Sequence, residues 1–572
     1  MANTNNFIIT GKNKNALFSL KAYRGEGMLL LAMNWKQGNP PNDFVGFSIE
    51  YKEPNGDRFF AIQNRIAFEG TKFKDGKKSI SSLLAPIQLF RWIHFPMNPE
   101  KKGEFLYKVK PVFMSNSMEL SYGEKQEIAI ELNRETYEGK VNVTFTRGFI
   151  SSQAFVDRYN ADNGIQKLLP TLSKEGLDFT PVHPKANEAL AWMGFEARNV
   201  ILKLLDDAIN DTSAQVKVIA YDLNLPEMVE KLAKLENRLS IIIDDSKDHK
   251  EHGSAENKAY DILSKSTNNI KRQHMGQLQH NKTIIVEGNS IKAAVYGSTN
   301  FSWRGFYVQA NNAVIVYGEE AIKPFKIAFE NYFTNEKNNV KAFGKTTSAT
   351  WNTIDIPGID IQTTFSPHSK INAVLDHIAN DVSKTESSLF YSLAFLSQTQ
   401  GGIRDIITTI TNNSESFVYG MADKKIGGFE LRKPDGTILP VYPSELSKNL
   451  PEPFISEPKG GRGNRMHHKF IVIDFDKPTA RVYLGSYNFS LTADTKNGEN
   501  LLLIKDQKIA TSYMIEALRI FDHYHFRLAV KESKKTKTKL ILKRPPTSSV
   551  EKTWWEPFYT NLKKIKDREL FS

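Results

Sequence analysis

One sentence of sequence occurs twice in this chain. HNKTIIVEGNSIKAAVYGSTNFS runs from His280 to Ser302, and MHHKFIVIDFDKPTARVYLGSYNFS from Met466 to Ser490. Each copy reads His-x-Lys, a β-rich run, an acid five residues past the lysine, and then Gly-Ser-x-Asn-Phe-Ser. The copies stay in register beyond the motif. Glu499 and Asn500 follow Gly485 at the same distance at which Asn311 and Asn312 follow Gly297. A period near 185 residues is far too long for a solenoid repeat, so the chain is read as two copies of one domain.

The flanking texture gives that domain its class. Glu188–Ile209 carries helical periodicity, Val216–Tyr221 and Ser240–Asp244 read as strands, and Glu227–Glu236 as a helix between them. The same alternation restarts at Lys370–Asp381, Leu389–Phe395, Gly402–Thr411 and Ser416–Met421. Alternating helix and strand indicates an α/β fold. Residues 1–147 differ. Short runs from Met28–Trp35 to Val141–Phe145, separated by turns such as Gly38-Asn39-Pro40-Pro41, suggest an all-β sandwich, faintly fibronectin-like. The expected organisation is therefore a β domain over 1–147, α/β halves over 148–345 and 346–530, and a basic tail over 531–572.

Composition bounds the setting. There are no cysteines among the 572 residues, which excludes disulfides and zinc–thiolate sites and suits a reducing, cytoplasmic compartment. No export signal layout and no apolar run of about 18 residues is present, so no membrane span is expected. The formal charge of +12 favours a polyanionic partner, nucleic acid or an anionic membrane surface, over a neutral one.

Doubled His-x-Lys-x4-Asp sentences, each followed by Gly-Ser-x-Asn, resemble the phospholipase D superfamily, and the compact Gly-Ser-x-Asn-Phe-Ser form is similar to its bacterial nuclease-type members. The resemblance spans about 180 to 530 and implies two α/β/α halves forming one active site on a pseudo-twofold axis. The residues suit that role. Positions i and i+2 of a strand share a face, so His280 projects with Lys282 and His467 with Lys469. Asn300 and Asn488, with the hydroxyls of Ser298 and Ser486, can donate to phosphate oxygens, while the lysines neutralise charge on a transferring phosphoryl group. No metal or other cofactor is called for.

The resemblance further implies a covalent phosphohistidine, with one imidazole attacking phosphorus and the other protonating the leaving oxygen. It also implies that a residue downstream of each Gly-Ser-x-Asn orients the histidine of the opposite half: Glu499 for His280 and Asn311 for His467. A carboxylate partner, read as favouring the imidazolium and a fixed tautomer, assigns His280 as nucleophile and His467 as general acid/base. Glu287 stands where the motif has Asp, and Asp474 keeps it; both are read as structural acids. The substrate stays open between nucleic acid, slightly favoured, and phospholipid headgroups. A non-catalytic polyanion-binding protein is the third reading, and the β domain is a candidate surface for a partner protein.

Other polar residues receive quieter readings. His468 points away from His467 and is expected to be packed or hydrogen-bonded, and Asp244-Asp245 reads as a strand-end cap. Lys459, Arg462 and Arg465 either track phosphates or sit in a solvated loop. The basic run from Lys531 to Arg544 is read as solvated, and Trp554-Trp555 as an anchor for the tail.

Overall fold

The computed structural model describes residues 7–73, 79–132, 135–148, 155, 158–159, 164–194, 196–394, 402–413, 415–422, 429–432, 438–441, 466–537 and 540–572. Lys459, Arg462 and Arg465 lie outside them.

Near the N-terminus two antiparallel sheets face each other. One is ordered Ile8–Thr10, Phe18–Arg24, Leu29–Trp35, Arg91–His94; the other is built on Phe44–Lys52 and the long strand Glu104–Met114. Apolar residues alternate along these strands. Phe18, Leu20, Leu31, Phe47, Phe105 and Tyr107 therefore meet in one core. Trp554 and Trp555 complete that core, with the Trp554 indole donating to the Phe44 carbonyl at 2.9 Å. The tail's tryptophans thus close the sandwich from the far end of the chain.

Two larger sheets form the body. The seven-stranded sheet runs Val141–Arg147, Ala310–Tyr317, Lys292–Gly297, Lys282–Glu287, Gln215–Ala220, Leu239–Asp244, Ile270–Gln273. The nine-stranded sheet runs Asn352–Ile356, Ile359–Ser366, Glu499–Lys505, Arg481–Gly485, Lys469–Ile473, Ser388–Leu393, Phe417–Ala422, Phe429–Arg432, Ile438–Val441. Six consecutive strands, from Val141–Arg147 to Leu239–Asp244 in one sheet and from Ile359–Ser366 to Phe417–Ala422 in the other, match in order and in pairing sense. The repeat read from the motif is a repeat of topology. The central strands of both sheets are buried on both faces, which explains why runs such as KTIIVE and KFIVI show no alternation of burial. Helices Glu319–Phe333 and Gln507–Thr536 join one core with both sheets, while helices such as Ala197–Asn210 and Val374–Val382 cover the outer faces.

Three boundaries differ from the sequence reading. Val141–Arg147, grouped with the β domain, pairs with Ala310–Tyr317 in the seven-stranded sheet. Its Val-x-Val-x-Phe pattern encodes a strand but not a partner. The helical run 188–209 is two helices, Ala186–Gly194 and Ala197–Asn210; Glu196 between them is buried and bonds the Phe145 N–H and Arg147. Finally, helix Gln507–Thr536 runs through the division drawn at 530, and beyond it Phe571 enters the core shared by the two large sheets.

Candidate active site

Each half brings its histidine to the same place by the same route. His280 and Lys282 stand at the start of Lys282–Glu287, and His467 and Lys469 at the start of Lys469–Ile473. Just before each histidine the chain crosses to the other half, through bridges between Gln279 and Gly498 and between Met466 and Ala310. These crossings set each histidine beside the residue that follows the bridge partner. His280 Nδ1 lies 2.7 Å from Glu499 Oε2, and His467 Nδ1 lies 2.7 Å from Asn311 Oδ1. The two imidazoles face each other with ring centroids 6.3 Å apart at 73°. Glu499, Asn311 and both His-x-Lys pairs therefore converge as the resemblance implies.

The lysines are buried with them. Lys282 donates to the His280 carbonyl and lies 4.6 Å over the Tyr221 ring; Lys469 reaches the His467 carbonyl at 2.9 Å and His467 Nε2 at 3.1 Å. Burial, then Lys282 and Lys469, pull His280 well below the ordinary imidazole range; burial and the same two lysines do so for His467. This corrects the imidazolium expected for His280. At neutral pH the ring is neutral, and Glu499 contributes tautomer and orientation. Burial lowers Lys282 to about 7 and raises Glu499 to about 7, with Lys282 pulling Glu499 back.

The Gly-Ser-x-Asn turns are held by close backbone approach and by their own side chains. Gly297 and Gly485 have φ of +141° and +150°, and a Cβ there would fall 2.4 Å from the Asn312 carbonyl oxygen or 2.2 Å from that of Asn500; only glycine fits. Ser298 and Ser486 are fully buried, and their hydroxyls accept the Asn312 and Asn500 N–H groups at 3.1 and 3.0 Å. Those hydroxyls tie the turn to the sheet as acceptors, and Ser486 also bonds Glu499. Asn300 is buried and Asn488 half-buried at the same turns.

The motif acids are structural, in different ways. Asp474 accepts from the N–H groups of Glu386, Ser387 and Ser388, at 2.8 Å from Ser387, and pins the chain entering Ser388–Leu393. Glu287 instead pairs with Lys326 at 2.5 Å near the surface. The corresponding tie in the first half comes from Asp211, which accepts from Ser213 and Ser290. An acceptor on the other side of the junction thus relieves position 287 of the need for Asp. His468 is buried against Glu516 at 3.1 Å, as read.

Four site residues escaped the sequence reading: Tyr221, Asp222, His249 and Glu256. Ala220 pairs with Lys282, so the loop after Gln215–Ala220 necessarily emerges beside the His-x-Lys pair. Asp222 Oδ2 accepts from Asn300 Nδ2 at 2.6 Å. The ligand atoms of Asp222, His249 and Glu256 lie within 4.8 Å of one another, a group that could hold a divalent cation. His249 here uses its ring in ion pairs, with Asp244 at 2.7 Å and Asp222 at 3.3 Å.

A family model described as "Cardiolipin synthase, PLD-like domain" matches residues 205–333 and 444–520, taking in both copies of the motif. The chain carries a phospholipase D-like domain. It is 48% identical over 48 residues to a phospholipase D of Rickettsia prowazekii (strain Madrid E), and 44% identical over 48 residues to that of Rickettsia bellii (strain RML369-C). Each match covers 8% of this chain and 22% of the relative's length. Among solved structures, phosphatidylserine synthase of Haemophilus influenzae Rd KW20 aligns at a TM-score of 0.40 and 13% identity, over 60% of this chain and 93% of that one. NUC from Salmonella typhimurium aligns at a TM-score of 0.20 and 21% identity, over 23% of this chain and 85% of that one. Members of the superfamily cleave or transfer phosphodiesters. Among the described residues, no helix of this chain is long and apolar enough to cross a membrane.

Proposed function

We propose that the protein is a phosphodiesterase working through a covalent phosphohistidine, with nucleic acid as the favoured substrate class. The observation that carries this reading is the facing pair His280 and His467, each held through Nδ1 by a residue of the other half. With Nδ1 engaged, the reactive position of each ring is Nε2. His280 Nε2 attacks phosphorus, the P–O bond to the leaving group breaks, and His467 gives that oxygen a proton. The diester's negative charge, arriving between Lys282 and Lys469, offsets the cations that keep His467 neutral at rest and lets it hold that proton. In the second step His467 takes a proton from water as the hydroxide attacks phosphorus. The N–P bond breaks, and a phosphomonoester leaves. Positive charge develops on His280 as the N–P bond forms. Glu499, a carboxylate, offsets that charge better than the Asn311 amide does for His467, which supports His280 as nucleophile.

The net charge of +12 supports nucleic acid. Phospholipid headgroups are the second reading, favoured by the description of the matching family model. A panel of single- and double-stranded DNA, RNA and phosphatidylglycerol vesicles, run with chelator beside His280→Ala and His467→Ala, decides between them. Cleavage of nucleic acid by the wild type alone, unaffected by chelator, is the expected result. Lipid cleavage would exchange the substrate class. Cleavage that needs a metal or survives both substitutions would overturn the mechanism, and cleavage of nothing would favour a binding protein.

Glu499 makes a pH signature. Once protonated, it donates to Nδ1 and forces the proton of the neutral ring onto Nε2, the non-nucleophilic tautomer. kcat should therefore fall as pH drops below about 7, the value to which burial raises Glu499. Glu499→Gln should remove that limb and lower kcat by about 10²–10⁴-fold, the range for losing the group that orients a catalytic imidazole. A limb retained in the variant would assign it elsewhere.

A further inference from the structure

Asn300 is the end of a chain of side chains that runs back to Asp244. Its Nδ2 lies 2.6 Å from Asp222 Oδ2, while its Oδ1 is buried with no hydrogen-bond partner among the described residues. The other oxygen of Asp222 is 3.3 Å from His249 Nε2, and His249 Nδ1 is 2.7 Å from Asp244 Oδ2. Asp244, fully buried at the end of its strand, accepts the N–H of Gln279 at 2.6 Å and that of Ser246 at 2.9 Å. Gln279 precedes His280, so the chain begins at the backbone of one motif element and ends at another in the same half-site.

The sequence does not repeat Asp222 in the second half. Ala220 stands opposite Lys282 and Leu393 opposite Lys469, so Asp222 corresponds to position 395. That position is Phe, which has no carboxylate, and it lies outside the described residues.

An amide has two unlike edges, and a half-turn about its last bond exchanges them. The Oδ1 edge presents lone pairs that repel a phosphoryl oxygen; the NH2 edge carries two donors. An ionised carboxylate only accepts, so it tolerates only the NH2 edge beside it. We propose that Asp222, held by His249 and Asp244, is a positioning residue that fixes the Asn300 amide, keeping one of its protons on Asp222 and the other for a phosphoryl oxygen. The His280 half-site is thereby set before substrate arrives. This inference rests on the phosphodiesterase reading of the site.

A double-mutant cycle on bis(p-nitrophenyl) phosphate tests it. Asp222→Ala should lower kcat by about 10–100-fold, the usual cost of losing a residue that orients a ligating or catalytic group. If Asp222 acts through Asn300, Asp222→Ala should cost nothing further in an Asn300→Ala background. Asp222→Asn, which keeps the volume and can offer an amide oxygen to Asn300, should recover part of the rate. Additive losses, or Asp222→Ala at the wild-type kcat, would overturn the proposal. Crystals of Asp222→Ala soaked with inorganic phosphate read the same point without turnover. Asn300 should be rotated or withdrawn from the anion, and a wild-type rotamer would overturn the proposal whatever the kinetics. The phosphodiesterase reading fails separately, through full turnover by His280→Ala.

Discussion

With bis(p-nitrophenyl) phosphate, His467→Asn should release a single equivalent of p-nitrophenol per site and then stall, whereas His280→Asn should release none. The asymmetry follows from what each histidine is asked to do. p-Nitrophenolate is a good leaving group and departs without a proton, so the first step needs the nucleophile but not the acid. The second step needs a base to deprotonate water, and without His467 the phosphohistidine accumulates. Steady-state turnover should fall by about 10⁴-fold or more in both variants, the scale for removing a member of a nucleophile–base unit. The stalled His467→Asn protein should carry an acid-labile phosphoryl group on His280, measurable as a mass increment lost on acidification. The opposite pattern would exchange the two roles. A burst in neither variant, with turnover intact, would discard the covalent mechanism.

Glu516→Ala should destabilise the protein by about 3–5 kcal/mol, the cost of removing one partner from a buried ionic cluster. Glu516 is fully buried in helix Gln507–Thr536 and accepts from Arg147, from Arg519 at 2.7 and 2.8 Å, and from His468 at 3.1 Å. Arg147 also holds Glu196 at 2.9 Å and donates to the Glu26 carbonyl. This cluster joins the N-terminal β domain, the first half and the strand entry beside His467. Without Glu516, two guanidinium groups and an imidazole lose a shared acceptor, and Arg147 and His468 among them are buried. Burial by itself would push the Glu516 carboxyl up, but Arg519 and Arg147 outweigh it and hold it well below the ordinary range. A depressed folded pKa contributes stability above the ordinary carboxylate pKa and loses it as pH falls toward the folded value. The gap between wild type and Glu516→Ala should therefore be full at neutral pH and narrow only in acid. Denaturant titration at both pH values measures it, and equal stability at neutral pH would show that the cluster holds nothing together.

Much of the site was legible because its signal is local. The alternation of a strand places His280 with Lys282 and His467 with Lys469, whatever the rest of the chain does. The doubled motif, with its shared downstream register, singles out Glu499 and Asn311; their pairing with His280 and His467 was implied by the family resemblance. The second duty of the serines was not legible, because only the approach of Asn312 and Asn500 shows that their hydroxyls also accept backbone N–H groups.

Residue order alone established the repeat, the α/β class of the two halves, the β character of the N-terminal region and the two His-x-Lys pairs, because each follows from spacing along one strand or one motif. The folded chain decided which sheet receives Val141–Arg147, where Trp554 and Trp555 dock, and that Asp222, His249 and Asp244 stand behind Asn300. Those are partnerships between distant segments. A strand's pattern records that it will be buried but not against what, and a carboxylate at a loop tip becomes part of a site only when cross-strand register brings that loop beside it.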